Sequence, residues 1–290
     1  MKIKRSVVLT TIVPEAIADA EIFKAAAKQL GRMGISTIEF YTPFERAAKY
    51  GKILNASGLD GIYLGAAFQK TSEVNMSAID AVERDRAVML SKKCADAAKE
   101  AGLPLLITSG RVPALDSDEN AAAEAFEKSL VELMEYVSND TQVYLETGDR
   151  AVQAYQLIGP TPMAVKMAKR MRERFPNFYL TIDTSHIAQL GEDLTESIAM
   201  AAPVCRHLHI ANCVLKKGDE LYGDKHPYID HMGCHYTVKQ LHSIYDKAET
   251  MFDGYQDELT VSIEVIAHDL CQKSADRIER LRDSALWFFN

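Results

Sequence analysis

FYLTIDTSHIAQLGED, residues 178–193, opens like a buried β-strand and then closes on an acid, which a buried strand usually avoids. Leu180 and Ile182 alternate with Thr181 and Asp183, and His186 follows three residues later. Successive strand side chains point to opposite faces, so the apolar pair can pack outward while the polar pair looks inward. Three other segments repeat the design: QVYLE (142–146), RHLHI (206–210) and TVSIE (260–264). Their inward pairs are Tyr144 and Glu146, His207 and His209, and Ser262 and Glu264. The last inward residue of the four strands is therefore Glu146, Asp183, His209 and Glu264 in turn.

Extended over the whole chain, the same alternation marks four earlier strands: SVVLT (6–10), STIEF (36–40), GIYLG (61–65) and LLITS (105–109). Amphipathic stretches lie between the eight. In 79–101, Ile79, Val82, Met89, Leu90, Cys94 and Ala97 are expected on one helical face. In 126–137 the face is Phe126, Leu130, Leu133, Met134 and Val137. Thr42-Pro43-Phe44-Glu45 and Thr161-Pro162 carry helix-start signals, the first as a candidate capping box. No linker or low-complexity tract divides the chain, and no G-x-G-x-x-G follows the first strand. The expectation is an α/β fold, a (β/α)8 barrel with residues 1–290 as a single domain.

Composition narrows the function. The 290 residues are 47% hydrophobic and 26% charged with a net charge of -8, which fits a globular protein and disfavours nucleic acid as a partner. No run approaches the roughly 18 apolar residues of a membrane span, and the amino terminus meets an acidic helix start where a cleavage site would stand, so a cytoplasmic location is expected. Five scattered cysteines with no C-x-x-C suggest reduced thiols.

Active sites of such barrels form at the carboxyl ends of the strands. Three carboxylates converging there would repel one another unless a cation is present. Three oxygen ligands and one imidazole suit one divalent ion, Mn2+ foremost, with Mg2+, Co2+ or catalytic Zn2+ as alternatives. One strand-end carboxylate alone is more often a helix cap or loop anchor, and a lone His207 reads as a satisfied interior residue one layer below the site. Four in-phase matches reverse the balance for Glu146, Asp183, His209 and Glu264. Glu39, in phase with Thr37, either touches substrate or buttresses the rim. Five of the eight histidines fall in 206–236, whose 213–236 segment is the longest link without helical period. Within it, Asp224 and His226 can clasp a second metal or a substrate hydroxyl, whereas His231 and His235, like His242 beyond it, read as solvated. Arg111, Arg150, Lys216 and Lys217 lie just past strand ends and are candidates to hold a phosphate or carboxylate.

LETGDR (145–150), TIDTSH (181–186), HLHIANC (207–213), GDKHP (223–227) and SIEV (262–265), taken in order and in strand phase, resemble the xylose isomerase-like barrel superfamily. The resemblance is strongest to its sugar phosphate isomerase/epimerase members, the ketose 3-epimerases, hydroxypyruvate isomerases and inosose dehydratases. It implies one metal held by Glu146, Asp183, His209 and Glu264, with His186 contacting a small sugar or sugar phosphate. It also implies that Glu146 and Glu264 remove and return a proton next to a carbonyl. Endonuclease IV shares the barrel, making a metal-dependent phosphodiesterase the alternative beside a sugar dehydratase; its extra histidines at the ends of strands three and four are missing from GIYLG and LLITS. PYIDHMGCHY after His226 and TGDR after Glu146 depart from the epimerase pattern and point to a different substrate. The closing run ALWFFN (285–290) is expected to close the barrel bottom or to meet a second copy in a homo-oligomer.

Overall fold

The computed structural model describes residues 1–114, 118–137, 139 and 141–289. Eight parallel strands close into a barrel in chain order: β1 (Lys2–Val8), β2 (Thr37–Phe40), β3 (Asp60–Leu64), β4 (Leu105–Thr108), β5 (Val143–Glu146), β6 (Phe178–Asp183), β7 (Cys205–Ile210) and β8 (Glu258–Ile263), which pairs back with β1. All eight expected strands are present, and the fold is a single-domain (β/α)8 barrel. The alternation read in 178–183 holds: Phe178, Leu180 and Ile182 are buried in the layer shared with the helices, and Tyr179 joins Val8, Ile62, Leu64, Leu106 and Tyr144 in a separate inner cluster.

The barrel register staggers the expected site residues along one rim, with Glu146 opposite Thr181 and Glu264 just beyond the paired part of β8. Asp183 pairs with His209, His209 with Ser262, and Thr108 with Glu146. One layer lower, Thr181 pairs with His207. The strand alternation thus separates an upper ring of acids and imidazole from a lower polar layer.

Helix Glu119–Val137 buries Phe126, Leu130, Leu133, Met134 and Val137 as expected. Helix Ala81–Ala101 follows its expected face only in its second half, where Cys94 and Ala97 are buried. Ile79, Val82 and Met89 are 49%, 70% and 60% exposed, and the buried side is Ala87, Val88, Ser91, Cys94, Ala95, Ala97 and Ala98. The cause is close approach of neighbouring backbone: a Cβ on Gly51 would stand 2.4 Å from Ala101 O, and one on Gly65 would stand 3.1 Å from Cys94 Cβ. Only small side chains fit such a seam.

The cap signals are also corrected. Thr42 Oγ1 donates to Ile17 O at 2.8 Å, and a short 3-10 turn, Phe44–Arg46, precedes helix Ala47–Ala56, so no capping box forms. Thr161 begins its helix after Pro160, and its N–H is taken by Glu192 Oε1 at 3.0 Å. At the carboxyl end, Phe288 and Phe289 are buried within this chain, and Arg5 Nη1 donates to Phe288 O at 3.0 Å. Trp287 stacks on His242 with ring centroids 4.9 Å apart. The run therefore packs beside β1 in the helix layer; Asn290, its last residue, lies outside the described residues. No helix among the described residues is long and apolar enough to cross a membrane.

Candidate active site

The upper ring converges as its phase predicts. Ligand-type atoms of Glu146, Asp183, His209 and Glu264 all lie within 4.8 Å of one another. His209 Nδ1 is 2.7 Å from Glu146 Oε1, 2.7 Å from Glu264 Oε2 and 3.8 Å from Asp183 Oδ2. One imidazole nitrogen carries at most one hydrogen and cannot satisfy three carboxylates.

Asp183 does two things at once. Its Oδ1 caps helix Thr184–Leu190, accepting from Ser185 N at 2.6 Å, Ser185 Oγ at 2.6 Å and His186 N at 3.2 Å. Its Oδ2 is buried with no hydrogen bond, as are Glu264 Oε2 and His226 Nδ1. Glu264 Oε2, although near His209 Nδ1, lies outside hydrogen-bonding geometry. Buried polar atoms left open in one small volume mark a place for a cation.

The layer beneath orients the ring. Glu39 is fully buried; its Oε2 is 3.0 Å from His209 Nε2, and its Oε1 is 2.9 Å from His207 Nε2 and 2.9 Å from Ser6 Oγ. A carboxylate only accepts, so both imidazoles direct Nε2–H to Glu39, which leaves His209 Nδ1 facing the acids, where it would offer its lone pair to a bound ion. His207 Nδ1, 3.0 Å from Thr181 Oγ1, accepts that hydroxyl and completes a satisfied interior residue. Glu39 is thus placed away from the cavity wall, and contact with substrate, one of its two expected roles, gives way to buttressing. The residues present fit a divalent ion: an imidazole with the correct free nitrogen and three carboxylates with open oxygens.

Electrostatics tell the same story. Burial alone would lower the pKa of His209, but Glu264, Glu39 and Glu146 outweigh it and raise it well above its ordinary value. Burial would raise Glu264, and the adjoining His209 and His226 hold it well below the usual carboxylate range. Without a metal, protonated imidazoles supply the positive charge that the acids require.

A second cluster adjoins the first. His226 Nε2 is 2.6 Å from Asp224 Oδ1 and 3.0 Å from Ser185 Oγ, while its Nδ1 faces Glu264 Oε1 at 3.6 Å. His226 has a φ of 38°, a strained value for a non-glycine residue. His186 Nδ1 accepts Asp149 N–H at 3.3 Å, which turns Nε2 toward Asp224 Oδ1, 3.9 Å away. Asp183, His186 and His226 also form a group with ligand-type atoms within 4.8 Å. The expected residues Asp224, His186 and His226 are therefore all brought to the site.

A cavity of about 800 Å³ opens above these clusters. Glu146, Glu264, His186, His209, Asp224 and His226 line it, as do Arg111 and Arg150; Lys216 and Lys217 do not, and stand exposed on their loop. Three contributors escaped the sequence reading. Lys70 reaches Asp224 Oδ2 at 3.2 Å. Asp149 is buried and binds Ala151, Val152, Gln153 and Ala154 N–H groups at 2.6–3.0 Å, fixing the loop after β5. Gln156 brings a buried Oε1 with no hydrogen bond to the cavity wall. The unusual TGDR was the only available signal for Asp149.

A closed (β/α)8 barrel whose carboxyl-terminal rim gathers acids and imidazoles around a cavity defines a barrel of the enzyme type. The chain belongs to the xylose isomerase-like TIM barrel family, whose profile matches residues 25–284. A comparison with curated proteins finds no match. Among solved structures, the chain is similar to D-psicose 3-epimerase from Clostridium cellulolyticum H10, solved with D-tagatose, at 15% identity over 99% of each chain and a TM-score of 0.65. It is similar to 3-keto-D-glucoside 4-epimerase from E. coli at 16% identity over 98% of this chain and 99% of the other, with a TM-score of 0.63. It is also similar to a family 2 AP endonuclease from Brucella melitensis at 16% identity over 96% of each, with a TM-score of 0.63. At such identities the likeness is one of fold.

Proposed function

We propose that this protein is a metal-dependent isomerase or epimerase of a small keto-sugar or related polyol. The observation that carries the reading is the pair of glutamates, from β5 and just past β8, whose oxygens each lie 2.7 Å from the free nitrogen of His209. A proton next to a carbonyl leaves only if the resulting enediolate charge is stabilised. Glu146, Asp183, His209 and Glu264 would hold a divalent ion, Mn2+ foremost, which supplies that stabilisation by polarising the carbonyl. Glu146 and Glu264, with side chains 12% and 16% exposed, are open enough to the cavity to take a proton from carbon and return one. His186, Asp224 and His226 bind and orient the sugar hydroxyls. The epimerases among the structural neighbours support the choice of sugar chemistry.

Incubation of the Mn2+-loaded protein with a ketose panel in D2O tests this reading. Metal-dependent deuterium entry at carbon is expected, with loss in Glu146→Gln and Glu264→Gln while the fold persists. Exchange retained in either variant contradicts its acid/base role. A metal-dependent phosphodiesterase is the second reading, favoured by the Asp183, His186 and His226 cluster and by the AP endonuclease neighbour. Cleavage of abasic DNA without deuterium entry into any sugar would establish it.

A further inference from the structure

Among the described residues, three side chains on the cavity wall keep a buried polar atom without a hydrogen bond: Glu264, His226 and Gln156. The first two face each other at 3.6 Å and belong to the charged clusters already described. Gln156 is different. It is neutral, it stands on the segment after β5, and neither ion binding nor proton transfer by the two glutamates uses its Oε1.

The amide is held from several sides. Gln156 N–H donates to Asp149 O at 2.7 Å, while on either side of it Tyr155 O accepts Val112 N–H at 2.8 Å and Leu157 N–H donates to Gly110 O at 2.9 Å. Tyr155 has a φ of 48°, a strained value for a non-glycine residue. The Gln156 side chain lies over Gly148, where an added Cβ would stand 2.5 Å from both its Cδ and its Nε2 and 2.8 Å from its Cγ. Gly148 is not among the glycines of positive φ, so the position calls for room and not for an unusual backbone. A buried carbonyl oxygen with no donor is unfavourable, and a group entering the cavity that brings one is favoured. Because the backbone is already fixed, little ordering entropy is lost when that donor arrives.

We propose that Gln156 determines specificity at this site, its Oε1 accepting a hydrogen bond from one hydroxyl of the bound sugar, with Gly148 providing the space that holds the amide there. The proposal rests on the sugar-isomerase reading above and deepens it: the substrate is a polyol that keeps its hydroxyl at that point of the cavity, and a sugar deoxygenated there is a poor ligand.

Calorimetric titration of the Mn2+-loaded protein with D-fructose, D-tagatose and D-allulose, and then with the monodeoxy derivatives of whichever binds most tightly, reads the contact as an affinity. Gln156→Leu should weaken the ketose about tenfold, and one deoxy derivative, the one lacking the hydroxyl in question, should bind wild type and variant alike. Gly148→Ala should reproduce both effects, because its methyl group displaces the amide tip, and combining the two substitutions should add nothing further. It also carries the test should a circular dichroism melt show Gln156→Leu unfolded. Unchanged ketose affinity in the folded variant, or a loss shared equally by every deoxy derivative, overturns the proposal. Deuterium exchange is read separately: neither exchange nor binding with any ketose removes the isomerase reading and this contact with it, whereas exchange in the wild type with the same deoxy penalties in the variant removes the role of Gln156 alone.

Discussion

The carboxylate of Glu39, on β2, decides which nitrogen of His209, across the barrel on β7, faces the three acids. Their Oε2 and Nε2 atoms are 3.0 Å apart, and both residues are buried. Because Glu39 also takes His207 Nε2 and Ser6 Oγ, it is an acceptor for three donors. Glu39→Gln replaces one acceptor oxygen by an NH2 group and forces one imidazole to change tautomer. Mn2+ affinity measured by calorimetry should fall about 10- to 100-fold. Undiminished affinity would show that His209 needs no such anchor.

Mn2+ should stabilise the fold. With the ion bound to the native state alone, a hundredfold excess over Kd contributes about 2.7 kcal/mol, visible as a rise in Tm that a chelator reverses. The affinity should fall with falling pH. His226, like His209, is raised well above its ordinary value, because burial is outweighed by Glu264, Asp224 and Asp183. Loading the ion therefore releases a proton, and acid opposes it. A Tm indifferent to Mn2+ would refute the site.

Asp149→Ala should raise KM more than it lowers Tm. The carboxylate it removes binds four consecutive N–H groups of the loop that carries Gln153 to the cavity. It does not itself line the cavity, and the loop is at the rim, apart from the barrel core. A Tm drop with unchanged KM would assign Asp149 to stability alone.

Arg277 is a separate, structural device. Its fully buried guanidinium donates to Ile12 O at 2.8 Å, Gln272 O at 2.6 Å and Glu15 Oε2 at 2.5 Å. Arg277→Met strands those carbonyls and should cost about 2–4 kcal/mol in urea unfolding. Glu15, 44% exposed, should matter less, under about 1 kcal/mol for Glu15→Gln. Its carboxyl sits below the usual range because the hydrogen bond and charge of Arg277 outweigh the upward push of burial. That contribution is present above the unfolded value of about 4.3 and fades as pH falls through the lower folded value.

Strand phase made Glu146, Asp183, His209 and Glu264 legible, since a period of two fixes which side chains share a face. It could not tell that Glu39 serves His209, because the partners are 170 residues apart in sequence. Lys70 was hidden for the same reason, its partner Asp224 lying 154 residues away. The alanine-rich face of helix Ala81–Ala101 escaped because its neighbours Gly51 and Gly65, not its own periodicity, set how closely it packs.

The segments after β4 and β5 are hydrogen-bonded to each other: Val112 N–H meets Tyr155 O at 2.8 Å, Leu157 N–H meets Gly110 O at 2.9 Å, and Arg111 bridges Gln156 in antiparallel fashion. A chimera that grafts one of them from a sister barrel would leave half a ribbon without its mate. The two must be exchanged together, which makes the pair, rather than either segment, the smallest transplantable part of this rim.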